Sequence, residues 1–158
     1  MINFRRAIPT TVDRVQKSTS DAINERIRMR TQQNVAKYAA HPAEIQKRLD
    51  QLDAEWDIER TLEANAAVVG LTGLLLGMKV NKKFFVLPIA VGTFLFQHAV
   101  QGWCPPVPLF RRLGVRTQKE IEHERFALKA IRGDFARAPA FGQENPEVTA
   151  LETLKAAQ

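Results

Sequence analysis

The sequence predicts an all-α protein: a transmembrane helical hairpin carrying a long N-terminal helical arm and a C-terminal amphipathic helix. Three observations lead there. Residues 64–119 hold seven Lys/Arg and no Asp/Glu. That window contains two apolar runs separated only by Lys79-Val80-Asn81-Lys82-Lys83. The flanking sequence is charged and of helical period, with 11 Lys/Arg and 10 Asp/Glu over residues 1–63 and 5 and 7 over residues 120–158. The formal net charge of +6 is therefore concentrated around the apolar centre, where basic residues at helix ends meet anionic headgroups. Nucleic acid is not expected as a partner, because the basic residues flank apolar runs and form no stripe with interleaved aromatics. At 158 residues the chain fits one domain or a small bundle with tails.

The arm is expected over residues 1–41. After a lead ending at Pro9, residues 11–40 read as one polar, weakly amphipathic helix with Ile23, Ile27, Val35 and Tyr38 near one face. His41-Pro42 stops it, since proline disfavours helix at the residue before it and suits the first turn of a new one. Arg5 and Arg6 are followed by no apolar core, so no cleaved signal peptide is expected.

Residues 42–116 read as a long helix that runs into the hairpin. A 4-3 spacing extends through Ile45, Leu49, Leu52, Trp56, Glu59, Glu63, Ala66, Gly70, Gly73 and Gly77. Its first half is the seam of a water-soluble coiled coil. Its second half is a stripe of small residues on a helix that is apolar all round, and such stripes let helices approach closely in lipid. Ala66, Gly70, Gly73, Gly77 and, on the second run, Gly92 are the expected helix-packing positions. The runs are placed at about 62–79 and 84–103. The uninterrupted apolar part of the first, Ala64 to Met78, rises only about 22 Å, so Lys79 must snorkel for it to reach across a bilayer core of roughly 30 Å. The second is long enough even with Pro88 near its start.

The second run ends in Gly102-Trp103-Cys104-Pro105-Pro106-Val107-Pro108-Leu109-Phe110-Arg111-Arg112-Leu113-Gly114. Trp103 reads as an interfacial anchor, the prolines as a barrier to further helix, and Lys79, Lys82, Lys83, Arg111 and Arg112 as membrane-interface residues. Lys47, Arg48, Arg60, Arg111, Arg112, Arg116 and Lys119 lie on the side of the termini, against Lys79, Lys82 and Lys83 in the loop. Seven against three places both termini in the cytoplasm of a bacterial-type inner membrane, with the dense loop as a counter-signal. Residues 117–135 follow as a helix started by a capping box, Thr117-Gln118-Lys119-Glu120, with Ile121, Leu128, Ile131 and Phe135 on its apolar face. Residues 136–158, broken by Pro139, Gly142 and Pro146, read as a short helix or a tail.

Gly77 to Phe85, followed by Gln101-Gly102-Trp103-Cys104-Pro105, resembles the YgaP-like inner-membrane domain, a two-helix hairpin of unknown function. The likeness covers about residues 60–114, roughly a third of the chain. It implies a fold, a membrane and helix-mediated oligomers, and no established chemistry. Some members carry a rhodanese domain, but no cysteine precedes Cys104 here, so its persulfide-carrying loop is not expected.

Candidate chemistry is sparse. Cys104 is either a thiol relay, activated by Arg111 and Arg112 if they fold back, or a small hydrophobe ending a helix. Gln97, His98 and Gln101 are intramembrane polar residues, and for His98 an interhelical hydrogen bond is favoured over metal or haem ligation. Glu120-x-x-His123 is half of a di-iron helix motif without its other half. Glu59 and Glu63 are expected to pair with Arg60, or with Arg111 and Arg112, as an ion-pair collar. No enzyme activity, metal or cofactor is expected. The expected role is that of a structural, accessory or scaffolding component that packs with itself or with a larger membrane complex. Sulfur-linked relay or small-anion transport through Cys104 and a soluble helical interaction module are the alternatives.

Overall fold

The computed structural model describes residue 10 and residues 12–137, and among these every regular element is a helix and no strand occurs. The expected lead before Pro9 and nearly all of the expected tail lie outside the described residues. The chain divides into two compact units, Met1–Arg30 with Glu55–Ile121, and Thr31–Ala54 with Glu122–Gln158.

The first unit begins with α1 (Arg14–Lys17) and the first half of α2 (Asp21–Ala40). The single helix expected over 11–40 is thus interrupted at Ser18-Thr19-Ser20. Hydroxyl and amide side chains compete here with the helical ladder. Thr19 Oγ1 donates to the Val15 carbonyl at 2.7 Å, and Asn24 Nδ2 reaches back to the Gln16 carbonyl at 2.9 Å. The break frees α1 to turn Val15 into a core with Ile58, Leu62, Cys104 and Val107.

The long helix from Pro42 is also interrupted. A 3-10 turn (Pro42–Glu44) and α3 (Ile45–Ala54) precede a non-helical step at residues 55–57, after which α4 runs Ile58–Lys79. Arg116 explains the step. Its guanidinium grips the Glu55 carboxylate at 2.7 and 2.6 Å, and its carbonyl accepts from the Ile58 amide at 2.8 Å. Asp57 then caps α4 by accepting from the Arg60 amide at 2.9 Å. Trp56, expected in the seam, is instead half exposed, with Arg60 over its ring at 4.3 Å.

A 3-10 turn (Lys82–Phe85), started by Asn81 accepting from the Lys83 amide, leads into α5 (Val86–Gln101). Pro88 falls in the first turn of α5, where its missing donor costs nothing. Helix α4 packs on α5 at Gly73 and on the 3-10 turn at Gly77. A Cβ at Gly73 would lie 2.6 Å from Leu87 Cβ, and one at Gly77 would lie 2.7 Å from the Phe85 ring. Gly70 and Gly92 have nothing within 4 Å of the position a Cβ would take. The stretches Pro42–Lys79 and Lys82–Gln101 are long and apolar enough to cross a membrane, and only 17% and 6% of their apolar windows are buried.

Helix α5 stops at Gly102, whose φ of 75° favours glycine and on which the Arg14 backbone lies so close that a Cβ would come within 2.4 Å of Arg14 C. The prolines expected to bar further helix instead open one, α6 (Pro106–Leu113), because a proline in the first turn loses no hydrogen bond and holds the right φ. Gly114 closes it at φ 90°. Helix α7 (Gln118–Arg132) starts on the capping box: the Thr117 amide donates to Glu120 Oε2 at 2.8 Å, and the Glu120 amide donates to Thr117 Oγ1 at 3.3 Å.

The second unit comprises the end of α2, α3, the greater part of α7 and a 3-10 turn (Asp134–Arg137). It buries Ile45, Leu49, Leu52 and Leu128, as the apolar spacing requires. Ile131, expected on the same face of α7, is 43% exposed. Glu124 is fully buried instead, accepting from Arg48 Nε at 2.7 Å and from Asn34 Nδ2 at 3.4 Å.

Candidate functional site

The polar groups of the first unit gather where α4 begins and α5 ends. The first turn of α4 brings Glu59 to the last turn of α5, and Glu59 Oε2 meets His98 Nε2 at 2.8 Å. The other carboxylate oxygen accepts from Arg14 Nη2 of α1 at 2.9 Å. His98 is therefore engaged in a hydrogen bond between helices. Its Nδ1, like Arg14 Nε, is buried without a partner among the described residues. The collar expected from Glu59 and Glu63 to Arg60, Arg111 and Arg112 does not form. Arg14 and His98 are the partners of Glu59, and Glu63 is exposed.

Arg111 is the second centre, and its expected headgroup role does not hold. The residue is 0% exposed. Its guanidinium donates to Glu120 at 2.7 and 2.8 Å, to Asn24 Oδ1 at 3.0 Å, to the Val115 carbonyl at 3.0 Å and to Thr19 Oγ1 at 3.3 Å. Every lobe of the planar donor thus finds an acceptor, which is what a buried charge requires. Glu120 also accepts from Gln16 Nε2 at 3.0 Å. Burial pushes the Glu120 carboxyl up, but the Arg111 guanidinium and the Thr117 amide outweigh it and hold the group below the usual glutamate range. Arg112 is exposed, and its carbonyl accepts from Arg26 at 2.9 Å.

Cys104 lies on the apolar side of this cluster. It is free and buried. Burial pushes its thiol up; the Val107 amide acts in the opposite sense, and the charge of Glu59 adds to the rise. Arg111, expected to activate it, is committed to Glu120. This is the environment of an inert thiol rather than a nucleophile. Cys104 borders an apolar groove of about 300 Å³ with Leu62, Ala66 and Val69 of α4 and Val91 and Phe94 of α5.

Of the remaining expected site residues, Gln97 is half-buried, and Gln101 is exposed with its carbonyl accepting from Ser18 Oγ at 3.2 Å. Trp103 is 37% exposed, and Lys79, Lys82 and Lys83 are exposed. Among the described residues no three His, Cys, Asp or Glu side chains converge as a metal site requires, and His123 is exposed. Arg14 as a partner of Glu59, Asn24 as a partner of Arg111, and the Glu55–Arg116 pair had no sequence signal. Glu120 had one, the capping box, which named its backbone partner but not Arg111. No family model matches the chain, and no curated protein or solved structure matches it.

Proposed function

We propose that the chain is a small membrane-anchored scaffold. Helices α4 and α5 cross the bilayer as a hairpin, with residues 62–79 and 84–103 in or beside hydrocarbon. Both termini lie on the cytoplasmic side of a bacterial-type inner membrane. Within this reading residues 60–114 are the YgaP-like hairpin that their Gly-Trp-Cys-Pro exit resembles.

One observation carries the reading: beyond Leu62, seven large apolar side chains of α4 and α5 face outward. Val68, Leu71, Leu75 and Met78, and Val86, Ile89 and Phe96 across the loop, are all more than half exposed. In water each Å² of such surface costs about 25 cal/mol, a penalty that disappears in hydrocarbon. Gly73 and Gly77 are filled by Leu87 and Phe85 of the same chain, so association with a second copy or a larger membrane complex uses the open glycines Gly70 and Gly92.

Fractionation tests the anchor and mass in detergent tests the scaffold. The full chain is expected in the membrane pellet after an alkaline wash and as more than a monomer in mild detergent. Gly70→Leu and Gly92→Leu are expected to return it to a monomer without releasing it from the membrane. Recovery of the chain in a detergent-free soluble fraction would replace this reading with a soluble helical interaction module.

A further inference from the structure

The two ends of the α4–α5 pair carry their positive charge differently. At the α1 end four cations are taken up, Arg14 by Glu59 at 2.9 Å, Arg111 by Glu120 at 2.7 Å, Arg116 by Glu55 at 2.6 Å and Lys119 by Asp13 at 2.8 Å, while Arg60 and Arg112 are exposed. At the loop end Lys79, Lys82 and Lys83 are all exposed, and among the described residues their side chains have no hydrogen-bond or ion-pair partner. No carboxylate occurs between Glu63 and Glu120. Glu63 lies 16 residues before Lys79, about 24 Å down the helix and well beyond a Debye length of about 8 Å in physiological salt.

The same end is shaped for an interface. Met78, Val80, Phe84 and Val86 alternate with the lysines and are 66%, 69%, 37% and 63% exposed. The turn between them is fixed. Asn81 Oδ1 accepts from the Lys83 amide at 2.9 Å, its carbonyl accepts from the Phe84 amide at 3.0 Å, and Phe85 packs on Gly77. Three ammonium groups are thus presented on one rigid turn above apolar side chains, with no internal counter-ion.

We propose that this turn binds the headgroups of anionic phospholipids, an inference that rests on the membrane reading above. The ammonium groups meet phosphate oxygens while Val80 and Phe84 enter the boundary with the acyl chains. The opposite end presents less free charge than its composition suggests, because Arg14, Arg111, Arg116 and Lys119 are each paired with a carboxylate. Each lysine at an anionic surface contributes about fivefold in affinity, so three contribute on the order of a hundredfold over a zwitterionic lipid.

The test uses the full chain in a neutral detergent with equal amounts of phosphatidylglycerol and phosphatidylcholine, bound lipid being counted by native mass spectrometry. The expected result is retention of phosphatidylglycerol over phosphatidylcholine by at least about tenfold at low salt, shrinking as salt rises. Lys79→Gln with Lys82→Gln and Lys83→Gln should bring the ratio near parity, and Arg at all three positions should restore it. Lys119→Gln, which removes a cation already paired with Asp13, should leave it unchanged. A preference that survives the triple Gln substitution, or none in the natural chain, overturns the proposal. Sedimentation keeps the two readings apart: a triple Gln variant that pellets with membranes but has lost the preference supports both, whereas a natural chain that stays soluble removes both.

Discussion

The two ends of the α4–α5 pair draw on the same residue types and reach opposite outcomes. At one end five arginine, lysine and histidine side chains, Arg14, His98, Arg111, Arg116 and Lys119, are each paired with a carboxylate. At the other, three lysines stand on a capped turn without one. A basic pair in sequence therefore has no fixed meaning. Arg111 and Lys83 both flank an apolar run, yet one is fully buried and the other faces outward. What separates them is the supply of acceptors. Helices α7 and α2 bring Glu120 and Asn24 to Arg111, and the link between α1 and α2 brings Thr19; no such elements reach the loop.

The contrast is broken most sharply at Arg111. Arg111→Ala strands Glu120, whose side chain is 13% exposed, as an unpaired buried carboxylate, and should cost about 3–5 kcal/mol in thermal or denaturant unfolding of the full chain in detergent. Substituting the three loop lysines by Gln should shift the same transition by less than about 0.5 kcal/mol. Equal effects at the two ends would mean that the difference in pairing has no energetic weight.

Next comes the clasp between α1 and the end of α5. Gly102→Ala places a Cβ against the Arg14 backbone at a positive φ and should cost about 1–3 kcal/mol. Gly73→Ala and Gly77→Ala crowd Leu87 and Phe85 and are expected to cost a similar amount, about 1–3 kcal/mol. Gly70→Ala and Gly92→Ala meet open space and should leave the unfolding of a single chain unchanged, or slightly stabilise it through helix propensity.

Acid should act on the paired end alone. Glu120 is held below the usual glutamate range in the folded chain, so its contribution is complete above the ordinary glutamate pKa and is lost as pH falls through the depressed folded value. The stability of the natural chain should decline across that window. Glu120→Gln should start lower and vary less with pH there, and an unchanged slope would count against the Arg111–Glu120 pair as the acid-sensitive element. The smallest effect concerns Cys104. A water-soluble maleimide at neutral pH should leave the native thiol intact and label it after denaturation, since it is buried and its pKa is raised.

Much of the local structure was legible from residues 11–135. The all-helical class, the two long apolar stretches and the capping box at Thr117 follow from interactions among residues a few positions apart. Where local reading failed, the competitor was distant. The seam from Ile45 to Gly77 looks continuous because its spacing is, but Arg116 reaches back to Glu55 and Ile58 and opens the helix at residues 55–57. The prolines after Cys104 read as the end of the second apolar helix, but α5 already stops at Gly102, and their use as the start of α6 depends on Val107 finding a core to enter.

The sequence by itself determined where helices form, where carboxylates are absent, and that the chain's excess positive charge surrounds two apolar runs. Only the tertiary structure decided which of those charges are free. Arg14 finds Glu59 across 45 residues and Gln16 finds Glu120 across 104. Periodicity reports the face of a helix, whereas an ion pair forms between faces, and which faces meet is set by the packing of the whole unit.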